Sequence, residues 1–353
     1  MNRIKSIVYF GFNNPLKYKR GAENVILFQS QALNNSISKF YIFFGEKDEE
    51  FKWGDIECIS IKHNIFRFVK LNKIIKDKSK KYDVIIHSHN YLMSFFLYRK
   101  TDIFTVLDGL YYQSVEINHN LKKVFKFIEK KVYDKSELIH FISQFTKEKS
   151  LYNSAKTNFE IIYITTPLEK VKFQNDKVWN SHKLKIFTVR SVEDRANLDL
   201  LIDLARKNMN YEIKIAGKGP LLEKYREIIC REKIDNIEFL GFISDQEIRT
   251  YYSNSDLIVV TAKYGEGFGL PIIEGYLHNK PVLASNVCAI PEIIFKKEFL
   301  FENNVLDIES KIKNYFIKSD QENCNNFKKY YDDFFSYDKI IKEYKNMYFV
   351  FGL

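Results

Sequence analysis

The stretch Tyr264-Gly265-Glu266-Gly267-Phe268-Gly269-Leu270-Pro271-Ile272-Ile273-Glu274-Gly275 constrains the fold more than any other in the chain. Alternating glycines let the backbone take positive φ and approach a ligand closely. Pro271 suits the first turn of a helix, where its missing N–H leaves nothing unpaired. The apolar run Ser255–Thr261 just before it reads as a strand, so the segment predicts strand, glycine loop, helix. A glycine loop opening into a helix is an anion site, because free N–H groups and the positive end of the helix dipole point the same way. Glu266 and Glu274, with seven residues between them, can face one elongated ligand from two places. A lone Gly-x-Gly would read as an ordinary turn; the paired glutamates and the proline favour a binding loop.

The same unit recurs along the chain. Ser6–Phe10 is a short β-rich run, followed by the loop Phe12–Arg20, Gly21-Ala22-Glu23 and the apolar helix-like Val25–Leu33. Strand, glycine loop and helix in that order open a Rossmann-like half. Phe40–Gly45, Ile56–Ile61, Asp83–Asn90, Asp102–Gly109, Leu138–Ser143 and Phe159–Ile164 read as further strands, and Arg67–Lys81 as a basic helix. Ligands of such sheets bind beyond the carboxyl ends of the strands, so His89 either meets an acceptor or caps the segment that follows. The His87-x-His89 pair has no accompanying carboxylate or cysteine set, which argues against a metal site. Asp108, at the tip of its strand before Gly109, is either a substrate contact or a turn aspartate.

In Leu121–Tyr133, Leu121, Val124, Phe125, Ile128 and Val132 recur at helical spacing beside Lys122, Lys123, Lys126, Lys130 and Lys131. That is an amphipathic helix whose basic face is either simply solvated or drawn to an anionic lipid surface. The polar segment 165–183 lacks periodicity and reads as a linker. A second strand-helix series follows, with strands Leu184–Val189, Tyr211–Ala216 and Ile237–Phe242, and Ser244 with Glu247 forming a capping box. The predicted fold class is α/β, with domains over 1–166 and 184–330, a linker over 167–183, and a final helix within 331–353.

At 353 residues and 45% apolar composition the chain can fill one or two cores. Its four cysteines, Cys58, Cys230, Cys288 and Cys324, are scattered without a CxxC pair, which fits a reducing compartment and argues against a disulfide framework or zinc site. Met1–Lys5 lacks the apolar run of a signal peptide, and no stretch approaches about 18 uninterrupted apolar residues. A cytoplasmic protein is expected. The net charge of +10 implies an acidic partner: nucleotide phosphates, anionic lipid or nucleic acid. The lysines are spread without an aromatic-basic reader motif, so no nucleic-acid partner is expected.

Glu266-Gly267-Phe268-Gly269-Leu270-Pro271 with Glu274 resembles the E-x7-E signature of the family-4 retaining glycosyltransferases, which have the GT-B fold. Lys280–Ser285 and Ile290–Ile294 resemble the same family's PVVAS and PEII segments. Cys288-Ala289 stand where members usually carry a Gly-Gly pair, which stiffens the loop. Arg190 and Arg195 resemble the GR…K pair that grips the donor diphosphate, with Val189 in place of the glycine and Arg195 in place of the lysine. Gly217-Lys218-Gly219-Pro220 resembles VGDGP, with Lys218 for the aspartate. Phe242 and Ile243 fall in the loop that holds the nucleotide base. Gly21-Ala22-Glu23 resembles GGAE near the donor phosphates, with Arg20 for the first glycine. Phe335–Tyr344 resembles the final FSW…Y helix. Asp108 stands where many members place a histidine.

The resemblance implies two Rossmann-like domains facing a central cleft, with a C-terminal helix crossing back to the first. It implies a metal-independent enzyme that moves a sugar, with retention, from a nucleotide-diphosphate donor (UDP- or GDP-linked) to a glycan or lipid-linked acceptor of surface polysaccharide biosynthesis. Glu266, Arg190 and Arg195 take the catalytic roles. Gly21, Gly217, Phe242, Ile243, Gly267, Phe268, Gly269, Leu270 and Glu274 join them at the donor, with Glu266 on the sugar hydroxyls and Glu274 on the ribose. His89 and Asp108 fall on the acceptor side. No cofactor is implied, and the basic helices fit a peripheral position on the inner face of the cell membrane. The departures at Val189, Cys288-Ala289 and Asp108 leave a second reading, a non-catalytic nucleotide-sugar-binding or scaffolding partner of another transferase.

Overall fold

The computed structural model describes residues 3–17, 21–116, 119–153, 156–171, 179, 181–319 and 326–353. Arg20, most of 172–180 in the expected linker, and Cys324 lie outside the described residues. The chain forms two compact units, one of Met1–Thr165 with Tyr337–Leu353, the other of Thr166–Ser336.

The first unit holds strands β1 (Ile4–Phe10), β2 (Ser38–Gly45), β3 (Glu49–Trp53), β4 (Ile56–Lys62), β5 (Tyr82–Ser88), β6 (Thr101–Val106), β7 (Ser136–Phe141) and β8 (Asn158–Ile161). They form one sheet in the order β3-β4-β2-β1-β5-β6-β7-β8. Every pairing is parallel except β3 with β4. Its helices are α1 (Gly21–Gln31), α2 (Arg67–Lys81), α3 (Tyr91–Phe96), α4 (Leu110–Glu116), α5 (Lys122–Asp134) and α6 (Gln144–Lys149). Parallel strands covered by helices are buried on both faces, and the apolar runs Ile7–Phe10 of β1 and Phe40–Phe44 of β2 follow from that. β3 escapes such a reading. Its Glu49-Glu50-Phe51-Lys52-Trp53 is a half-buried edge, where charged residues alternate with aromatic ones.

The second unit holds α7 (Asp199–Lys207), α8 (Leu222–Glu232), α9 (Asp245–Asn254), α10 (Leu270–Leu277), α11 (Ile290–Ile293), α12 (Val305–Ser319) and α13 (Phe327–Phe334). Its strands are β9 (Leu184–Val189), β10 (Tyr211–Ala216), β11 (Ile237–Gly241), β12 (Leu257–Val260), β13 (Val282–Ser285) and β14 (Leu300–Phe301). They run parallel in the order β11-β10-β9-β12-β13-β14. This is the doubly wound order, and it reverses direction between β9 and β12, where such sheets open a crevice for ligands.

The unit boundaries differ from the sequence expectation at both ends. Residues read as linker pack into the second unit: Leu168 is buried, Glu169 accepts a hydrogen bond from Tyr331, and Trp179 donates to Glu212. The segment 331–353 divides. Tyr331 and Phe335 stay buried in the second unit, and only α14 (Tyr337–Phe349) joins the first. There Ile340, Tyr344, Met347 and Tyr348 pack against Ile7, Tyr9, Ile26 and Phe28. Among the described residues no helix is long and apolar enough to cross a membrane.

Candidate active site

The carboxyl ends of β9, β10, β11 and β12 lie side by side, so the residues that follow them share one rim of the second sheet. Arg190 follows β9, Gly217 follows β10, and Phe242-Ile243 follow β11. The glycine loop 264–269 lies between β12 and α10. Arg190 and this loop therefore flank the point where the strand order reverses.

Arg190 Nη1 donates to Glu266 Oε2 at 2.7 Å, and both side chains are nearly buried. Arg190 Nε is buried and, among the described residues, has no hydrogen-bond partner. Arg195 Nη1 donates to the Gly265 carbonyl at 3.0 Å, and its Nε to Glu193 at 2.8 Å. Both arginines thus hold the glycine loop from the β9 side. Gly265 and Gly269 have φ of 65° and 108°, and Gly269 caps α10, whose first turn contains Pro271. Those two glycines supply the left-handed backbone that aims the loop into the helix.

Gly217 is required for a different reason. Its φ is 137°, and a Cβ there would lie 1.9 Å from the Arg190 carbonyl oxygen. The backbone after β10 is thereby pressed against the backbone of Arg190. Phe242 is exposed on the same rim, with Lys218 Nζ 5.2 Å from its ring centroid, and Ile243 is half-buried beside it. Phe268 is buried against the ring of Phe335 at 6.0 Å, while Gly267 and Leu270 are half-buried.

Glu274 is buried, and two hydroxyls hold it: Thr166 donates to Oε1 at 2.9 Å and Tyr252 to Oε2 at 2.8 Å. Burial pushes its carboxyl up to about 7, against the pull of those two hydrogen bonds. A carboxyl poised there can accept a hydrogen bond as an anion or donate one as an acid. Nothing in the sequence around Thr166 or Tyr252 marks them as its partners, which lie 108 and 22 positions away.

Cys288 adopts φ of 54°, so this residue keeps the left-handed backbone a glycine would take, and Ala289 N donates to the Glu266 carbonyl at 3.1 Å. A left-handed backbone on a residue with a Cβ carries a steric cost of roughly 1–2 kcal/mol.

In the first unit, Gly21 opens α1 and His89 follows β5. His89 is buried; its Nε2 pairs with Gln29 Oε1 at 2.8 Å, and its Nδ1 has no partner among the described residues. Sequence reading missed the network behind it. His87 bonds Tyr348 and Thr105, both at 2.7 Å, and Thr105 bonds His140 at 2.9 Å. Burial keeps His87 and His89 well below the ordinary histidine value and pushes His140 down to about 4, so all three imidazoles are neutral. The Asp108 carboxylate turns back on its own turn, accepting from Gly109 N at 2.9 Å and Gln113 Nε2 at 2.7 Å. Among the described residues no group of three or more His, Cys, Asp or Glu is placed to hold a metal ion.

Residues 169–333 match the glycosyl transferases group 1 family. An uncharacterized glycosyltransferase of Methanocaldococcus jannaschii is 31% identical over 33% of this chain and 33% of its own length. The O-antigen biosynthesis glycosyltransferase WclY of Escherichia coli is 22% identical over 94% of this chain and 95% of its own. Anabaena HepE, solved in complex with UDP and glucose, superposes with a TM-score of 0.76 at 16% identity, covering 97% of this chain and 99% of that one. That likeness shows the fold: α/β, with two parallel-sheet domains of the GT-B class.

Proposed function

We propose, from the match of residues 169–333 to the glycosyl transferases group 1 family, that the chain transfers a sugar from a nucleotide-diphosphate donor to a glycan or lipid-linked glycan. The reaction proceeds with retention of configuration and needs no metal ion. The observation that carries this reading is Arg190, anchored by Glu266 yet with its Nε buried and unpaired at the switch point of the sheet. Buried donors without partners are rare, and one on a guanidinium is suited to a phosphate oxygen.

In the proposed reaction the bond from the anomeric carbon to the diphosphate oxygen breaks, the acceptor hydroxyl oxygen bonds that carbon on the same face, and the hydroxyl proton passes to the departing diphosphate oxygen. Charge builds on the departing diphosphate. Arg190, Arg195 and the N-terminal end of α10 oppose it, and their fixed positions avoid reorganisation during the step. Glu266, turned into the same rim, accepts hydrogen bonds from the donor sugar's hydroxyls. Glu274 acts one helical turn away on the ribose, and Phe242 with Ile243 borders the base. The UDP and glucose held by HepE support a UDP-sugar, and the WclY relationship supports a surface polysaccharide as product.

Thermal unfolding with UDP-, GDP- and ADP-sugars tests the proposal. A donor at a hundred times its Kd stabilises by about 2.7 kcal/mol. A shift with one nucleotide, lost in Arg195→Ala and Glu266→Gln, is expected. Absence of any shift, together with no product by NMR, overturns the enzymatic reading. The anomeric coupling constant of the product reads retention directly.

A further inference from the structure

The strands β9, β10 and β11 end in register. Val189 pairs with Ala216, and Ala216 with Gly241, so Arg190, Gly217 and Phe242 are the first residues beyond three neighbouring strand ends. Neighbouring strands lie about 4.8 Å apart, which sets the backbones of Arg190 and Phe242 about 10 Å apart along the rim. The turns between them are fastened to one another. Gly217 N donates to the Gly241 carbonyl at 2.8 Å, and Val192 N donates to the Lys218 carbonyl at 2.9 Å. Gly219 presses on the same backbone, since a Cβ there would lie 2.2 Å from the Val192 carbonyl oxygen. The chain on either side of Lys218 is thereby fixed to the segment that follows Arg190.

This frame presents an aromatic ring and a cation to solvent. Phe242 is 65% exposed, with the Lys218 ammonium 5.2 Å from its ring centroid. Around these strand ends Arg190 pairs with Glu266, Arg195 with Glu193 and Lys263 with Asp194, whereas Lys218 meets no carboxylate among the described residues. A single exposed ring needs no ligand to explain it. Here the ring is held beside an ammonium without a carboxylate, two strand spacings from Arg190. Together they make a flat apolar face with a hydrogen-bond donor at its edge, the complement of a planar base whose edge carries an acceptor.

Resting on the donor reading, in which Arg190 takes the diphosphate, we propose that Phe242 and Lys218 form the base subsite and that Lys218 selects a base with a carbonyl at this edge, uracil or guanine, against cytosine and adenine. Every base has a π-face to lay on Phe242, so stacking gives affinity without choice. The lysine supplies the choice. An ammonium has three donors and no acceptor. Uracil offers O4, and guanine offers O6 and N7, whereas cytosine and adenine carry an amino group at the corresponding position and bring donor against donor. The long, exposed lysine stem lets the ammonium leave the Phe242 ring for the edge of the base, and a cation–π contact given up at an exposed site is a weak one. The two strand spacings between Phe242 and Arg190 leave room for the ribose between base and phosphates.

Isothermal titration calorimetry of the full chain with UDP, CDP, GDP and ADP tests the proposal. UDP and CDP differ only on the edge that Lys218 would read, so their affinity ratio isolates the contact. The wild type is expected to bind UDP or GDP at least roughly tenfold more tightly than its amino counterpart, CDP or ADP. Lys218→Met, which keeps the stem and removes the donor, brings that ratio near one, and Lys218→Arg retains it. Phe242→Ser weakens all four nucleotides by a similar factor, roughly fivefold or more. Melting curves without nucleotide that match the wild type show that the variants are folded. A ratio that Lys218→Met leaves unchanged overturns the proposal. So does an equal loss for all four nucleotides, which places the lysine on the phosphates, or equal wild-type affinity within both pairs. Those outcomes leave the donor site standing, whereas binding of none of the four by the wild type removes the donor reading and this inference with it.

Discussion

Arg190 Nη1 and Glu266 Oε2 meet at 2.7 Å, tying the residue after β9 to the glycine loop that leads into α10. With side-chain exposures of 6% and 12%, neither charge can be rehydrated in place if its partner is removed. Breaking such a pair costs about 3–5 kcal/mol, much of it the penalty of the stranded charge. We expect Arg190→Ala to destabilise the chain by about 3 kcal/mol or more in urea unfolding, Glu266→Gln by somewhat less, and the double variant by less than the sum. Additive losses would mean that the two side chains do not act as a pair.

Gly217→Ala should be severe despite its small size. The added methyl meets the Arg190 carbonyl oxygen at 1.9 Å and forces φ of 137° on a residue with a Cβ. The backbone at Arg190 must move, so we expect a loss of at least about 2 kcal/mol in stability and loss of any nucleotide-sugar thermal shift. Gly54→Ala is the comparison, because its φ of 61° is also left-handed but open space surrounds it. A Gly217→Ala variant no worse than Gly54→Ala would remove the close-approach explanation.

Cys288 at φ of 54° predicts an order among substitutions. Cys288→Gly relieves the steric conflict and should be neutral or stabilising by up to about 1 kcal/mol. Cys288→Val places a β-branched side chain in the left-handed region and should lose about 1–2 kcal/mol. Chemical denaturation of the two variants checks the order, and Val tolerated as well as Gly would contradict it.

Glu274 links stability to pH. Its carboxyl sits near 4.5 in the unfolded chain and is pushed to about 7 by burial in the fold. Between those values the folded chain holds a proton that the unfolded chain has lost. The contribution of this group is therefore complete below about pH 4.5 and falls as pH rises to about 7, by up to about 1.4 kcal/mol per pH unit. Glu274→Gln should flatten that part of the wild-type stability curve. An unchanged slope in the variant would assign the pH dependence to other groups.

The buried histidines act with the opposite sign. His87, His89 and His140 are held below the ordinary histidine value of 6.5, His140 at about 4. The unfolded chain takes up protons first as pH falls through about 6.5, so their contribution is lost progressively in the acid range. Hydrogen exchange at α14, which is joined to His87 through Tyr348, should speed up from pH 7 to about 5 beyond the intrinsic exchange trend. His87→Gln should reduce that acceleration, and an equal response in the variant would place the sensitivity elsewhere.

Much of the framework is legible in the chain itself. β9 and β10 have the limits that the sequence predicts, Leu184–Val189 and Tyr211–Ala216; in β10 the buried Tyr211, Ile213 and Ile215 alternate with the half-buried Glu212 and Lys214, the period-two pattern of a strand. Pro271 and Gly269 announce the start of α10, since backbone geometry is a local property. β3 was not legible, because an edge strand half in water alternates charge and aromatic residues as a loop can. The segment 331–353 reads as one returning helix, yet Phe335 and Ser336 separate α13 from α14. The burial of Tyr331 and Phe335 in one core and of Tyr344 and Tyr348 in another decides where the break falls.

The sequence by itself determined the α/β alternation, the glycine loop, and the arginines and glutamates of the candidate site. These follow from periodicity, from the steric freedom of glycine and from side-chain chemistry, which neighbouring residues largely set. Only the tertiary structure decided that Arg190 pairs with Glu266 76 positions away, that Tyr252 and Thr166 hold Glu274, and that Val124 and Phe127 face outward. Such partnerships depend on which strands become neighbours and which helix faces find cover. Apolar surface of equal hydrophobicity is buried or left bare according to whether another element arrives to cover it.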